Sequence, residues 1–158
     1  MAPRLNYYGL IPELFQKFVE AEKIVKGGSL DHHIIHLVKI RASQINECAF
    51  CIDMHVKEAV IDGESQLRLH HIAGWKESQL FTDKERAALR WTEELTRPSF
   101  ESTRDEVYEV IKEHFDEKEI VELTATIALI NTWNRFALAF RSVPGSLDKL
   151  YGLDKAGL

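Results

Sequence analysis

Asp116-Glu117-Lys118-Glu119 opens the stretch that most restricts how this chain can fold. An aspartate followed three residues later by a glutamate has the form of a capping box, which starts a helix. That helix is predicted to run to about Arg141, with Pro144-Gly145 closing it. From Ile120 to Phe140 it is apolar on nearly every side, through Leu123, Ile127, Leu129, Ile130, Trp133 and Phe136. A helix that is apolar all round must lie at the centre of a bundle or be shared with a second subunit. No segment alternates with period two between turn signals, so no sheet is expected. The chain is predicted to be all-α, with about seven helices.

The remaining helices follow from start and stop signals. Pro12 suits a first turn, Leu14, Phe15, Phe18, Val19 and Ile24 give the apolar stripe, and Gly27-Gly28 ends it. Ser29 or Asp31 can cap a second helix carrying Ile34, Ile35, Leu37, Val38, Ile40, Ala42 and Ile45, with Asn46 at its end. A third follows and stops at Gly63, and a short fourth spans about Ser65 to Ala73. Thr82-Asp83-Lys84-Glu85 reads as a capping box for a helix to about Thr96, and Thr103-Arg104-Asp105-Glu106 as another. No repeat, low-complexity tract or linker interrupts residues 1–158, so one domain is expected.

A chain of 158 residues can bury a core without covalent staples. Its net charge of −5 and the lack of a Lys/Arg cluster argue against nucleic-acid or membrane-surface binding. No segment is long enough to span a bilayer, and Met1-Ala2-Pro3-Arg4 leads into a polar, Tyr-rich stretch rather than an apolar leader. A cytoplasmic location is expected.

The only two cysteines, Cys48 and Cys51, lie in Glu47-Cys48-Ala49-Phe50-Cys51-Ile52-Asp53-Met54-His55. If a helix begins near Cys48, steps of three and four residues bring Cys48, Cys51 and His55 to one face. A helix N-terminus stabilises a thiolate, and an imidazole one turn away can take or return a proton. In the cytosol such a pair would be kept mostly reduced and would cycle. Two other readings of these residues are open. Cys48, Cys51, His55 and His36 form a legitimate tetrahedral zinc set, although structural zinc usually pins smaller domains. Two buried cysteines can also act as small apolar residues. No cofactor or metal is expected.

Arg41-Ala42-Ser43-Gln44-Ile45-Asn46 followed by Cys48-Ala49-Phe50-Cys51-Ile52-Asp53-Met54-His55 resembles the core of the carboxymuconolactone decarboxylase-like superfamily, in its cysteine-containing alkylhydroperoxidase D (AhpD) branch. The resemblance continues through Trp75-Lys76-Glu77, Glu85-Arg86-Ala87-Ala88-Leu89 and Asn131-Thr132-Trp133-Asn134-Arg135 to Val143-Pro144-Gly145. It implies an all-helical fold and a homo-oligomer, often a trimer or hexamer. It further implies that Cys51 attacks a hydroperoxide and becomes a sulfenic acid. Cys48 then condenses with it to a disulfide, which an external dithiol or protein reductant reduces. The histidine at His55 assists proton transfer. The family's glutamate, twelve residues before the first cysteine, falls here on His36, and the histidine that AhpD carries between its cysteines is Phe50.

The catalytic candidates are therefore Cys51, Cys48, His55 and His36. A three-residue helical step leaves Cβ atoms about 5–6 Å apart, whereas a disulfide needs about 3.5–4.5 Å. The first turn must loosen slightly for the pair to close. His36 sits among apolar neighbours and can be a neutral base, a cation or a buried packing residue. Asn131, Asn134 and Arg135 need polar partners if buried, and a structural network is expected for them. Tyr7, Tyr8, Trp75 and Trp133 are expected to pack, His70 and His71 to lie outside the site, and Glu47 to point elsewhere. The expected activity is a peroxide-reducing thiol oxidoreductase of alkylhydroperoxidase type. The alternatives are a redox-sensing or structural oligomer with negligible turnover, and a lactone-carboxylate lyase of the decarboxylase type.

Overall fold

The computed structural model describes residues 2–99 and 103–158. Among them it contains eight α-helices, three short 3-10 segments and no strand. The helices are α1 (Pro12–Lys26), α2 (His32–Ile45), α3 (Ala49–Ile61), α4 (Gln66–His71), α5 (Asp83–Thr96), α6 (Asp105–His114), α7 (Glu117–Phe140) and α8 (Asp148–Tyr151). The all-α expectation holds, and seven of the eight helices match the seven inferred from sequence. Helix α8 is only four residues long, too short to show a period.

The start signals act as read at three helices. Asp31 caps α2 through the His33 amide, and Thr82 and Asp116 each form reciprocal capping boxes with Glu85 and Glu119. The box expected at Thr103 does not form. Arg104 takes the N-cap of α6, while Thr103 adopts a left-handed backbone with φ of 62° and so cannot offer the extended geometry a cap requires.

Helix α2, rather than α7, is the most enclosed element. Seven consecutive residues from Ile34 to Ile40 are buried, because α3, α5 and α7 pack around it. Helix α7 buries Leu123, Ile127 and Ile130 against this core, but leaves Val121 and Leu138 exposed. Arg41 of α2 and Trp75-Lys76 meet on Glu93 of α5, at 2.6 Å for the guanidinium, 2.8 Å for the indole and 2.7 Å for the ammonium. These residues of the family-like pattern are structural.

The corner between α2 and α3 is built from backbone first. Glu47 N–H donates to Gln44 at 3.1 Å and Cys48 N–H donates to Ser43 at 2.9 Å. Together these form the Schellman ending, with Glu47 in the left-handed position at φ of 59°. Glycine normally sits there, so the glutamate carries backbone strain. Cys48 then serves at once as the last residue of this ending and as the N-cap of α3, its carbonyl accepting from Ile52 at 2.9 Å.

Side chains of α7 lock that corner. Asn46 Nδ2 donates to both Asn131 Oδ1 at 2.9 Å and Asn134 Oδ1 at 2.8 Å. Asn134 Nδ2 donates to Ser43 Oγ at 3.1 Å, Asn131 Nδ2 to Thr96 Oγ1 at 3.1 Å, and Arg135 to Asn131 Oδ1 at 2.9 Å. The structural network expected for Asn131, Asn134 and Arg135 is present. Asn134 is fully buried, so its truncation leaves Ser43 and Asn46 short of partners. Asn134→Ala is expected to cost about 2–3 kcal/mol, measured as a shifted urea midpoint. A change below about 0.5 kcal/mol, the scale of an ordinary surface substitution, would take the network out of the cooperative core.

Candidate active site

The helix begins near Cys48, as expected, with Cys48 as its N-cap. The φ of −87° and ψ of 89° at Cys48 are non-helical, and Cys51 occupies the third helical position. This is the loosening that closure of the pair demands. The two cysteines form a disulfide with Cα atoms 5.4 Å apart, inside the usual span of such bonds. Both lie in a small apolar cluster with Ala42, Phe50, Ile130 and Ala137.

The two cysteines are both buried, at 1% and 3% exposure, and differ in what they border. Cys51 lines a cavity of about 290 Å³, whereas Cys48 is not among its lining residues. The cavity is walled by Glu22, Lys23 and Lys26 of α1, His32, Ile35, His36 and Lys39 of α2, and Phe50, Met54, His55 and Glu58 of α3. Trp133 and Ala137 of α7, with Tyr7, Tyr8 and Tyr151, complete it. Three of the four candidate residues, Cys51, His55 and His36, thus face one space. Cys48, bonded to Cys51, does not border it.

His55 Nδ1 is hydrogen-bonded to Glu58 Oε2 at 2.7 Å. Burial acts to raise the Glu58 pKa, but the His55 hydrogen bond and the positive charge of His55, Lys39 and His36 outweigh it and hold the group at about 2. Glu58 is therefore a carboxylate at every pH of interest. With the Nδ1 of His55 engaged, its Nε2 is the ring nitrogen left for exchange with a reacting group.

His36 is 3% exposed, and its Nε2 is hydrogen-bonded to Asp62 Oδ2 at 2.8 Å. Burial pushes its pKa below the ordinary 6.5, against the opposing pull of Asp62. The imidazole is neutral at pH 7. Its Nδ1 is buried without a hydrogen-bond partner among the described residues. Lys39 is also buried and is paired with Glu22. His36 and Lys39 of α2 thus border the cavity, and each is paired with a residue from outside α2.

Sequence reasoning missed Glu58, although its signal was present. Cys51, His55 and Glu58 stand at i, i+4 and i+7, on one stripe of α3. Lys39 stands one turn after His36 in the same way. Glu22, Tyr8 and Trp133 come from other elements, and nothing local marks them. Tyr7 and Tyr8 do line the cavity, and burial raises the Tyr8 pKa, keeping its hydroxyl protonated. They also pack, in an aromatic group with Phe15 and Phe136. His70 and His71 lie on the exposed surface, and Glu47 is exposed at the corner. No group of three or more His, Cys, Asp or Glu side chains among the described residues is arranged to hold a metal ion.

The carboxymuconolactone decarboxylase family profile matches residues 12–94. That span holds the CxxC helix and most of the cavity wall. The chain belongs to the carboxymuconolactone decarboxylase family, in its AhpD-like branch. An Agrobacterium tumefaciens protein of unknown function, named as a candidate antioxidant-defence protein AhpD, superposes with a TM-score of 0.87 at 43% identity, over 90% of this chain and 98% of its own. The uncharacterised Bacillus subtilis protein YdfG is 38% identical over 139 residues, or 88% of this chain and 95% of its own. The debrominase Bmp8 shares the fold alone, at 19% identity and a TM-score of 0.78 over 94% of this chain and 79% of its own. In this chain His36 borders the cavity from α2, and the carboxylate hydrogen-bonded to His55 is Glu58 of α3.

The Glu58 pairing has a consequence for stability. The folded value of about 2 lies below the ordinary 4.5, so ionised Glu58 contributes stability above pH 4.5 that is lost as pH falls through about 2. The stability difference between wild type and Glu58→Gln should be widest above pH 4.5 and close between pH 4.5 and 2, followed by urea unfolding along an acid series. A difference independent of pH would overturn the pairing.

Proposed function

We propose that this protein is a peroxide-reducing thiol oxidoreductase in which Cys51 attacks the substrate and Cys48 resolves it. The observation that carries this reading is that Cys51 borders the cavity that His55 also lines, whereas Cys48, bonded to Cys51, does not. In the dithiol form the Cys51 thiolate, favoured by the N-terminus of α3, attacks the terminal oxygen of a hydroperoxide. The S–O bond forms as the O–O bond breaks. The departing alkoxide takes a proton, which His55 supplies while Glu58 orients its ring and balances its charge. Cys48 then attacks the sulfenic sulfur, the S–S bond forms, and hydroxide leaves as water after gaining a proton. An external dithiol or protein reductant returns two electrons and two protons, consistent with work in a reducing cytoplasm.

His36 supplies a second proton acceptor. A neutral imidazole with a free Nδ1 beside the cavity can hold the proton released by the thiol, and this would be its share of the missing glutamate's role. The exposed apolar residues of two packed helices, Ile24 of α1 and Val121 of α7, support assembly into a homo-oligomer of trimer or hexamer type.

Steady-state consumption of hydroperoxide with dihydrolipoamide or thioredoxin as donor tests the reading. Cys51→Ser is expected to abolish turnover. Cys48→Ser should still consume one equivalent and stop at a sulfenic acid, which dimedone traps and mass spectrometry detects. Equal residual turnover in both variants would overturn the assignment. Light scattering should give a mass well above 18.2 kDa, and a clean monomer would count against assembly.

A further inference from the structure

The Cys51 cavity has two chemically distinct ends. Around the buried sulfur the wall is apolar, made by Phe50, Met54, Trp133 and Ala137. At the solvent end stand Lys23 and Lys26, one turn apart on the last turn of α1 and both exposed. The carboxylates that line the cavity are already engaged, Glu22 by Lys39 and Glu58 by His55. Lys23 and Lys26, in contrast, form no ion pair with any described residue, and the nearby Glu20 is held by Lys17 at 2.6 Å. In a chain of net charge −5, the rim of this cavity presents two cations without an ion-pair partner among the described residues. Their place at the C-terminus of α1 suits the helix dipole whichever way they point. The dipole gives no reason for them to line the cavity.

We propose that the substrate of this site is an anionic amphiphile, an organic hydroperoxide that carries a carboxylate at the end opposite its peroxide. The carboxylate pairs with Lys23 and Lys26 at the rim, the apolar body fills the space beside Trp133, and the peroxide meets Cys51. A cavity of about 290 Å³ lies at the small end of ligand pockets, which run from roughly 300 to 1,000 Å³. The body is therefore a single aromatic ring or a medium chain. The carboxylate is unchanged by the reaction and serves only to orient. This inference names the substrate class of the peroxidase reading above and rests on it for the chemistry, but not for the binding.

Two matched pairs separate binding from chemistry. Isothermal titration with the para-isopropylbenzoate anion and with its neutral methyl ester reads affinity without any peroxide. Turnover of cumene hydroperoxide and of its para-carboxylate, with dihydrolipoamide as donor, reads kcat/KM. The carboxylated member of each pair is expected to be favoured by about 3- to 10-fold, the scale of two partly exposed charge contacts. In Lys23→Gln/Lys26→Gln the ratio should fall to near one, and high salt should erode it in the wild type. Equal affinity for the acid and the ester, or a preference that survives in the double variant, overturns the proposal. If neither hydroperoxide is turned over while the benzoate preference holds and depends on the two lysines, the peroxidase reading fails and the anion site stands.

Discussion

The amide network that joins Ser43, Asn46, Asn131 and Asn134 is the interaction on which the rest of this structure depends. It ties the end of α2 to the middle of α7 at the point where the chain turns into α3. Hydrogen bonds that are partly or wholly buried, as these are, are strong when complete and costly when broken. The network therefore fixes the corner in one arrangement. That arrangement holds Glu47 in a left-handed conformation and leaves Cys48 at the N-cap, three residues from Cys51 and close enough to bond to it.

A second constraint follows from the burial of α2. The stretch of α2 from residue 34 to 40 has no solvent face, so His36 and Lys39 must find partners within the protein or face a cavity. They do both. Asp62 from the end of α3 takes His36, Glu22 from α1 takes Lys39, and the space they border is the one that Cys51 also borders. Fixed polar groups in an otherwise apolar shell give the site its directionality, with the sulfur at the buried end and, at the rim, ammonium groups without an ion-pair partner among the described residues. The carboxylate that orients His55 comes from the same helix as the cysteines.

Local chemistry settled the course of the backbone. Capping residues, first-turn proline and terminal glycines act within a few residues, so the starts of α2, α5 and α7 and the ends of α1 and α3 were legible in the chain itself. The same locality made the CxxC-to-His55 spacing readable, and would have made Glu58 readable too. Thr103 shows the limit of such signals, because a cap needs a backbone conformation as well as a residue type, and there the conformation is left-handed.

What only the tertiary structure decided is which residues share a space. Side-chain periodicity marked α7 as the helix in need of burial, but the middle of α2 is the stretch enclosed, because His36 and Lys39 masked a run, residues 34–40, with no outer face. Nothing in the spacing of Cys48 and Cys51 tells which of them borders the cavity, and that Cys51 does follows from how α1, α2 and α7 pack around the start of α3. Tyr8, Glu22 and Trp133 reach the cavity from three separate elements, and no local pattern records that meeting. Sequence fixes spacing along one element through covalent geometry and hydrogen bonding. The chemistry of the cavity is set by distances between elements, which exist only once the core has packed.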